Sequence, residues 1–217
     1  MHESESGAGQ LKRLIIAPHC DDEVLGCGGL LAKFPDECEV LVMVEPTDVR
    51  LVEHIAARQT LGYCVTHFLS LPDGRLHESL VFMVDSLDRL LRTVRPDEMY
   101  LPYPDLHQDH IATYEAGMRA ARASMKKDHW YVPSVFVYDV AAYSFELRPT
   151  GLTYNTFEDI SGDPILAKGK AMDCYASETA PAPSPANGAA LMKQAEALGA
   201  MHHRYAVEQY AAVRVLR

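Results

Sequence analysis

Apolar and polar positions follow two alternating periods along this chain. Short apolar runs, the mark of strands covered on both faces, occur at residues 11–17, 39–44, 66–71, 99–103 and 134–140. Between them, residues 24–34, 49–61, 78–94 and 111–125 carry apolar positions at helical spacing. In 78–94 the stripe is Leu80, Val84, Leu87, Leu90, Leu91 and Val94. In 49–61, Leu51, Val52, Ile55, Ala56 and Leu61 lie near one face, and Gly62 suits the position just past a helix end. Pro72-Asp73-Gly74 reads as a turn. Beyond residue 140 the pattern is less regular: 164–177 and 189–210 read as helices, joined across an Ala-Pro-Ala-Pro-Ser-Pro loop at 180–185. Strand–helix alternation of this kind predicts a three-layer α/β domain, with a Rossmann-like, mostly parallel sheet and helices on both faces. No internal repeat or domain boundary is evident, so residues 11–217 read as one domain after a polar tail at 1–10.

Composition narrows the partners. The 217 residues suffice for one domain with a substantial core. A formal net charge of −10 argues against a nucleic-acid backbone or an anionic membrane surface. No apolar run approaches the roughly 18 residues of a transmembrane helix. The first ten residues lack the basic start and apolar stretch of a signal peptide and read as a frayed tail. Five cysteines, an odd number without a C-x-x-C pair, suggest reduced thiols in a cytoplasmic protein. Self-association is left open.

The chemistry lies at two strand ends. The first apolar run passes into Pro18-His19-Cys20-Asp21-Asp22-Glu23, followed by Gly26, Gly28 and Gly29. An imidazole and adjacent carboxylates repel or compete there unless a cation or a reaction uses them. About ninety residues on, the fourth run passes into Pro104-Asp105-Leu106-His107-Gln108-Asp109-His110. In a parallel sheet both clusters lie on one edge, where open α/β sheets hold their ligands, and could share one metal ion. Capping alone explains an Asp at a helix start but not the histidines or the second cluster. The glycines do not form G-x-G-x-x-G, and the acidic pair stands where a pyrophosphate would approach, which disfavours a dinucleotide site.

These motifs together resemble the LmbE-like, or PIG-L, family of zinc-dependent N-acetylglucosamine de-N-acetylases. Pro18 through Glu23 with Gly28-Gly29 looks like its first motif, and His107-Gln108-Asp109-His110 like its H-x-D-H motif. Arg50, Glu53, Ala57, Leu61 and Gly62 fit its R-x-x-E-x-x-x-A-x-x-x-L-G helix. Leu71-Pro72-Asp73-Gly74 fits its turn, and Lys170-Ala171 through Tyr175-Ala176-Ser177 resembles its last segment loosely. The chain departs from the pattern at Cys20, where proline is usual, and in a short loop at 45–49.

The resemblance implies His19, Asp22 and His110 as metal ligands. The i,i+3 spacing of the first two lets one helical turn aim both inward. Three protein ligands and one open position suit catalytic zinc, and the N and O donors also fit ferrous iron or another divalent ion. Asp21 is then the general base for water, His107 stabilises the oxyanion, and Asp109 orients His107 and keeps it protonated. Arg50 and Asp73 are the implied sugar-binding residues; the plainer readings are an Arg50–Glu53 surface pair and a turn aspartate. His54, His67, His77 and His129 read as surface or core histidines, and His202-His203 as solvated. The expected activity is removal of acetyl from an N-acetylglucosamine-type sugar or conjugate. A metal-dependent amidase for a non-sugar N-acyl metabolite is the alternative, as is a metal- or sugar-binding protein without catalysis.

Overall fold

The computed structural model describes residues 10–140 and 150–216. Of the expected tail at 1–10, residues 1–9 lie outside them. The chain runs β1 (Arg13–Ala17), α1 (Asp22–Lys33), β2 (Cys38–Val44), α2 (Asp48–Leu61), β3 (Val65–Leu71), α3 (Leu80–Val94), β4 (Glu98–Pro102), α4 (Gln108–Ala120), β5 (Ser134–Tyr138), β6 (Thr156–Asp159), α5 (Asp163–Asp173), α6 (Gly188–Met201) and β7 (Val207–Val215). A 3₁₀ turn, Leu76–Ser79, leads into α3.

One seven-stranded sheet has the order β3-β2-β1-β4-β5-β7-β6. β3, β2, β1, β4 and β5 are mutually parallel, whereas β7 runs antiparallel to both β5 and β6. β1 and β5 are buried along their whole length and β4 at all but Glu98, in keeping with their apolar runs. Two cores result. On one face Val24, Leu30, Ala57, Leu61, Ala171 and Met172 pack against Ile15, Val40 and Val42. On the other, Met83, Leu87, Leu91, Ala112 and Ala116 pack against Leu14, Ile16, Leu41 and Leu101. The chain winds outward from β1 to β3, then crosses back to β4 on the other side of β1. That reversal between β1 and β4 opens a crevice at their carboxyl ends, and both His/Asp clusters follow these two strands.

Three expectations need correction. The helix expected over 189–210 ends at Met201, and the chain reverses where the amides of His202 and Arg204 both donate to the Gly199 carbonyl, with His203 at φ 55°. Val207–Val215 then forms a strand that covers β5 and, with the four-residue β6, makes the sheet mixed. Of the apolar stripe expected of α2 only Leu61 is buried: Val52 is 68% and Ile55 40% exposed. The helix turns His54 and Ala57 inward together with Leu61. His54 is satisfied there by Tyr175 Oη at 2.9 Å and Thr66 Oγ1 at 3.0 Å, which is what makes a buried imidazole tolerable. Third, α4 starts three residues before the expected 111 and ends at Ala120 rather than 125, so Asp109 and His110 sit on its first turn. Among the described residues no helix is long and apolar enough to cross a membrane.

Candidate active site

The first cluster is built on a strained turn. After β1, the carbonyl of Pro18 accepts from the Val44 amide, and α1 begins at Asp22. Between them Asp21 adopts φ 125°, a conformation that non-glycine residues hold only when their surroundings impose it. The restraints are local. The Asp21 amide donates to Glu23 Oε2 at 2.9 Å, and the Asp21 carbonyl accepts from Val24 and Leu25. Asp22 Oδ2 accepts from the His19 amide at 2.9 Å and lies 3.2 Å from His19 Nδ1. Glu23 is fully buried, with Tyr175 donating to its Oε1 at 2.6 Å and His54 Nδ1 3.2 Å away. Cys20, at the family's proline position, points into the core and is 2% exposed.

The second cluster is organised by Asp105. Its Oδ1 accepts from the His107 amide at 2.7 Å, and its Oδ2 lies 2.8 Å from His110 Nδ1. With Nδ1 engaged, His110 turns Nε2 toward Asp22 Oδ1, 3.5 Å away. Asp109 is buried. Its carboxylate accepts from the amides of Gly74 at 2.7 Å and Leu76 at 3.1 Å, and its Oδ2 lies 3.2 Å from His19 Nε2. Its own amide donates to His107 Nδ1 at 3.2 Å. Asp73, on the turn after β3, brings Oδ1 to 3.2 Å from His19 Nε2.

Arg50 of α2 meets Asp21 at 3.4 Å, and also bonds the Cys20 carbonyl and the Glu178 carboxylate. It does not pair with Glu53 in the way the plainer reading supposes; Glu53 instead accepts from Ser177. A cavity of about 230 Å³ opens here, lined among the described residues by His19, Asp21, Asp22, Arg50, Asp73, His107, His110 and Glu178 with Leu25 and Ala186. Asp109 lies beneath it. The eight residues singled out from the sequence therefore converge. Asp105, Glu178 and the buried Glu23–His54–Tyr175 set are the additions. Asp105 had a signal two residues before His107, and Tyr175 one in its motif segment. Glu178 had none, because an exposed Glu after a helix looks like any solvated charge.

The cluster favours positive charge at its centre. Burial disfavours a charged His19, yet Asp109 and Asp22 outweigh it and push its pKa up to about 10. Asp22 is buried too, but His110 and His19 bring it down to about 2. For His110, burial is likewise outweighed, by Asp22 and Asp105, and its pKa rises. Asp21 behaves oppositely: burial, then the neighbouring Asp22, push its carboxyl well above the ordinary carboxylate range against the pull of Arg50. Asp109 meets His107 through its amide, which donates to His107 Nδ1, while burial and the His110 and His19 rings lower the pKa of His107. The ligand atoms of His19, Asp22 and His110 all lie within 4.8 Å of one another. Two imidazoles and a carboxylate so disposed, one imidazole being held by Asp105, match what a divalent ion requires of its donors and their supports.

Comparison with known proteins places this fold among the LmbE-like deacetylases. The conserved protein TT1542 from Thermus thermophilus superposes with a TM-score of 0.78 at 23% identity, covering 95% of this chain and 96% of that one. The N,N'-diacetylchitobiose deacetylase from Pyrococcus horikoshii gives 0.73 at 22% identity, covering 93% of this chain and 83% of that one. The uncharacterized deacetylase YaiS of Escherichia coli (strain K12) is 26% identical over 179 residues, 76% of this chain and 90% of its own. Residues 14–121 match the family described as PIG-L, GlcNAc-PI de-N-acetylase, and the chain belongs to this deacetylase family.

Proposed function

We propose that the protein is a zinc-dependent hydrolase that removes the N-acetyl group from an N-acetylglucosamine-type sugar, with Asp21 as general base. The observation that carries this reading is the meeting of His19, Asp22 and His110 beside an aspartate that stays off that donor set and is held at φ 125°. His19, Asp22 and His110 would hold the ion, with zinc the best fit to two nitrogens and one carboxylate. When bound, such an ion supplies Lewis acidity and lowers the pKa of water in its open position.

The chain's own residues do the remainder. Asp21 takes the proton of the attacking water, and its raised pKa suits it to carry that proton and return it to the leaving amine. His107 accepts from the Asp109 amide at Nδ1, so its proton lies on Nε2, where it can donate to the oxygen that gains charge as the acetamide carbon becomes tetrahedral. Asp109 steadies the floor by tying His19 to the Gly74–Leu76 turn. Arg50 from α2 and Asp73 from the turn after β3 line the cavity and would contact sugar hydroxyls. The products are acetate and an amino sugar.

The test is acetate release from N-acetylglucosamine glycosides by the zinc-loaded protein and by Asp21→Asn. The expected result is turnover in the natural protein, a fall of about 10²–10⁴-fold in the variant, and unchanged zinc per chain. Full activity in Asp21→Asn would remove it as the base. No acetate from any N-acetyl sugar would overturn the substrate reading.

A further inference from the structure

Outside the ion cluster, two more carboxylates face the cavity. Asp73 stands on the turn after β3 with its side chain 75% exposed, and Glu178 follows α5 with its side chain 38% exposed. Arg50 is the one guanidinium among the described residues that line the cavity. Its Nη1 and Nη2 already engage Glu178, the Cys20 carbonyl and Asp21. Two carboxylates thus share one cation, and Asp73, beside His19, adds a third carboxylate to the lining. The outer part of the cavity is therefore net negative, in a chain whose overall charge is −10.

This arrangement has a consequence for what can enter. A phosphate on the sugar would meet Asp73 and Glu178 directly, and its natural partner, Arg50, is held by Glu178. Like charges brought together in a cleft with low-dielectric walls repel, and the repulsion acts on encounter as well as on the bound state. Sugar hydroxyls meet no such barrier: they donate to carboxylate oxygens and accept from a guanidinium. We propose that the site selects uncharged N-acetylamino sugars over those carrying phosphate, such as sugar phosphates or nucleotide-linked sugars, and that Glu178 is a specificity-determining residue. The proposal rests on the deacetylase reading above and specifies its substrate class.

The experiment compares kcat/KM of the zinc-loaded protein for methyl N-acetylglucosaminide and N-acetylglucosamine 1-phosphate. The neutral probe is expected to be favoured by about tenfold or more, a preference that shrinks as added salt screens the charges. Glu178→Gln should narrow the ratio severalfold, chiefly through KM for the phosphorylated probe, while Glu178→Asp, which retains the charge, should keep it. Equal or better use of the phosphorylated probe by the natural protein, or an unchanged ratio in Glu178→Gln, overturns the proposal. Acetate from neither probe overturns the deacetylase reading instead. Calorimetric binding of the two probes then decides selectivity: tighter binding of the neutral sugar supports it, and equal or tighter binding of the phosphate overturns it.

Discussion

The amide of Asp21 donates to the carboxylate of Glu23 at 2.9 Å, so a buried residue two positions along holds the proposed base at φ 125°. The other Glu23 oxygen is engaged by Tyr175 and His54, which join α1 to α2 and to the segment after α5. Glu23→Gln keeps the volume but turns one acceptor into a donor, which must then face a donor. We expect kcat to fall by about 10–100-fold, the usual effect of disturbing a group that orients a catalytic one, with KM and bound zinc little changed. Steady-state kinetics with metal analysis checks it, and a loss confined to KM would contradict it.

Glu23 also predicts an acid-range stability change. Burial alone would raise its pKa, but the hydrogen bonds from His54, Tyr175 and the Asp21 amide outweigh burial and lower it below the ordinary 4.5. A carboxyl with a lowered folded-state pKa stabilises the fold above its unfolded value, and that stability is lost as pH falls through the folded value. Its contribution is therefore complete above pH 4.5 and disappears below it. Denaturant titrations on either side of that pH should show a smaller acid-dependent loss in Glu23→Gln than in the natural protein.

Asp105 holds His110 from behind, with Oδ2 2.8 Å from Nδ1. Replacing it by alanine leaves the proposed ligands in place but frees the ring to rotate. Zinc affinity should weaken by about 10–100-fold, measured by competition with a chromophoric chelator. Affinity equal to that of the natural protein would separate Asp105 from the ion site.

A buried lysine–glutamate pair lies outside the ion cluster. Lys168 Nζ donates to Glu208 Oε1 at 2.6 Å and to the Leu25 carbonyl at 2.9 Å, and Glu208 also accepts from the amides of Gly29 and Leu30. This pair ties α5 and β7 to the middle of α1. Lys168→Met leaves the Glu208 carboxylate buried without its cation, and should cost about 3–5 kcal/mol. Lys170→Ala, at an exposed position in the same helix, should stay within about 0.5 kcal/mol. Paired chemical denaturation curves test both.

Much of this was legible in the residues themselves. The strands β1, β2, β4 and β5 are continuous apolar runs because both faces of a parallel strand are covered, and that signal is local. His19, Asp21, Asp22, His107, Asp109 and His110 were legible because each cluster directly follows such a run. The extent of α2 was legible too, but not its buried face, because Leu51, Val52 and Ile55 sit at helical spacing yet face outward. His54 is buried because Thr66 and Tyr175 satisfy it, and both are distant in sequence or on another element. β7 was hidden for a related reason: the polar Glu208 is buried through Lys168, 40 residues away, so no alternation of apolar and polar residues announced a strand.

The division follows range. Short-range patterns determined the α/β alternation, the two strand-end clusters and the residue types able to hold an ion, because periodicity and spacing act over a few bonds. Only tertiary structure decided that His19, Asp22 and His110 converge, that Tyr175 and His54 hold Glu23, that Glu178 engages Arg50, and that an antiparallel strand joins β5 to β6. Each of these joins residues from separate elements. Hydrogen bonds and charges at such distances in sequence are chosen by packing, where a buried polar group must find its partner wherever the fold provides one.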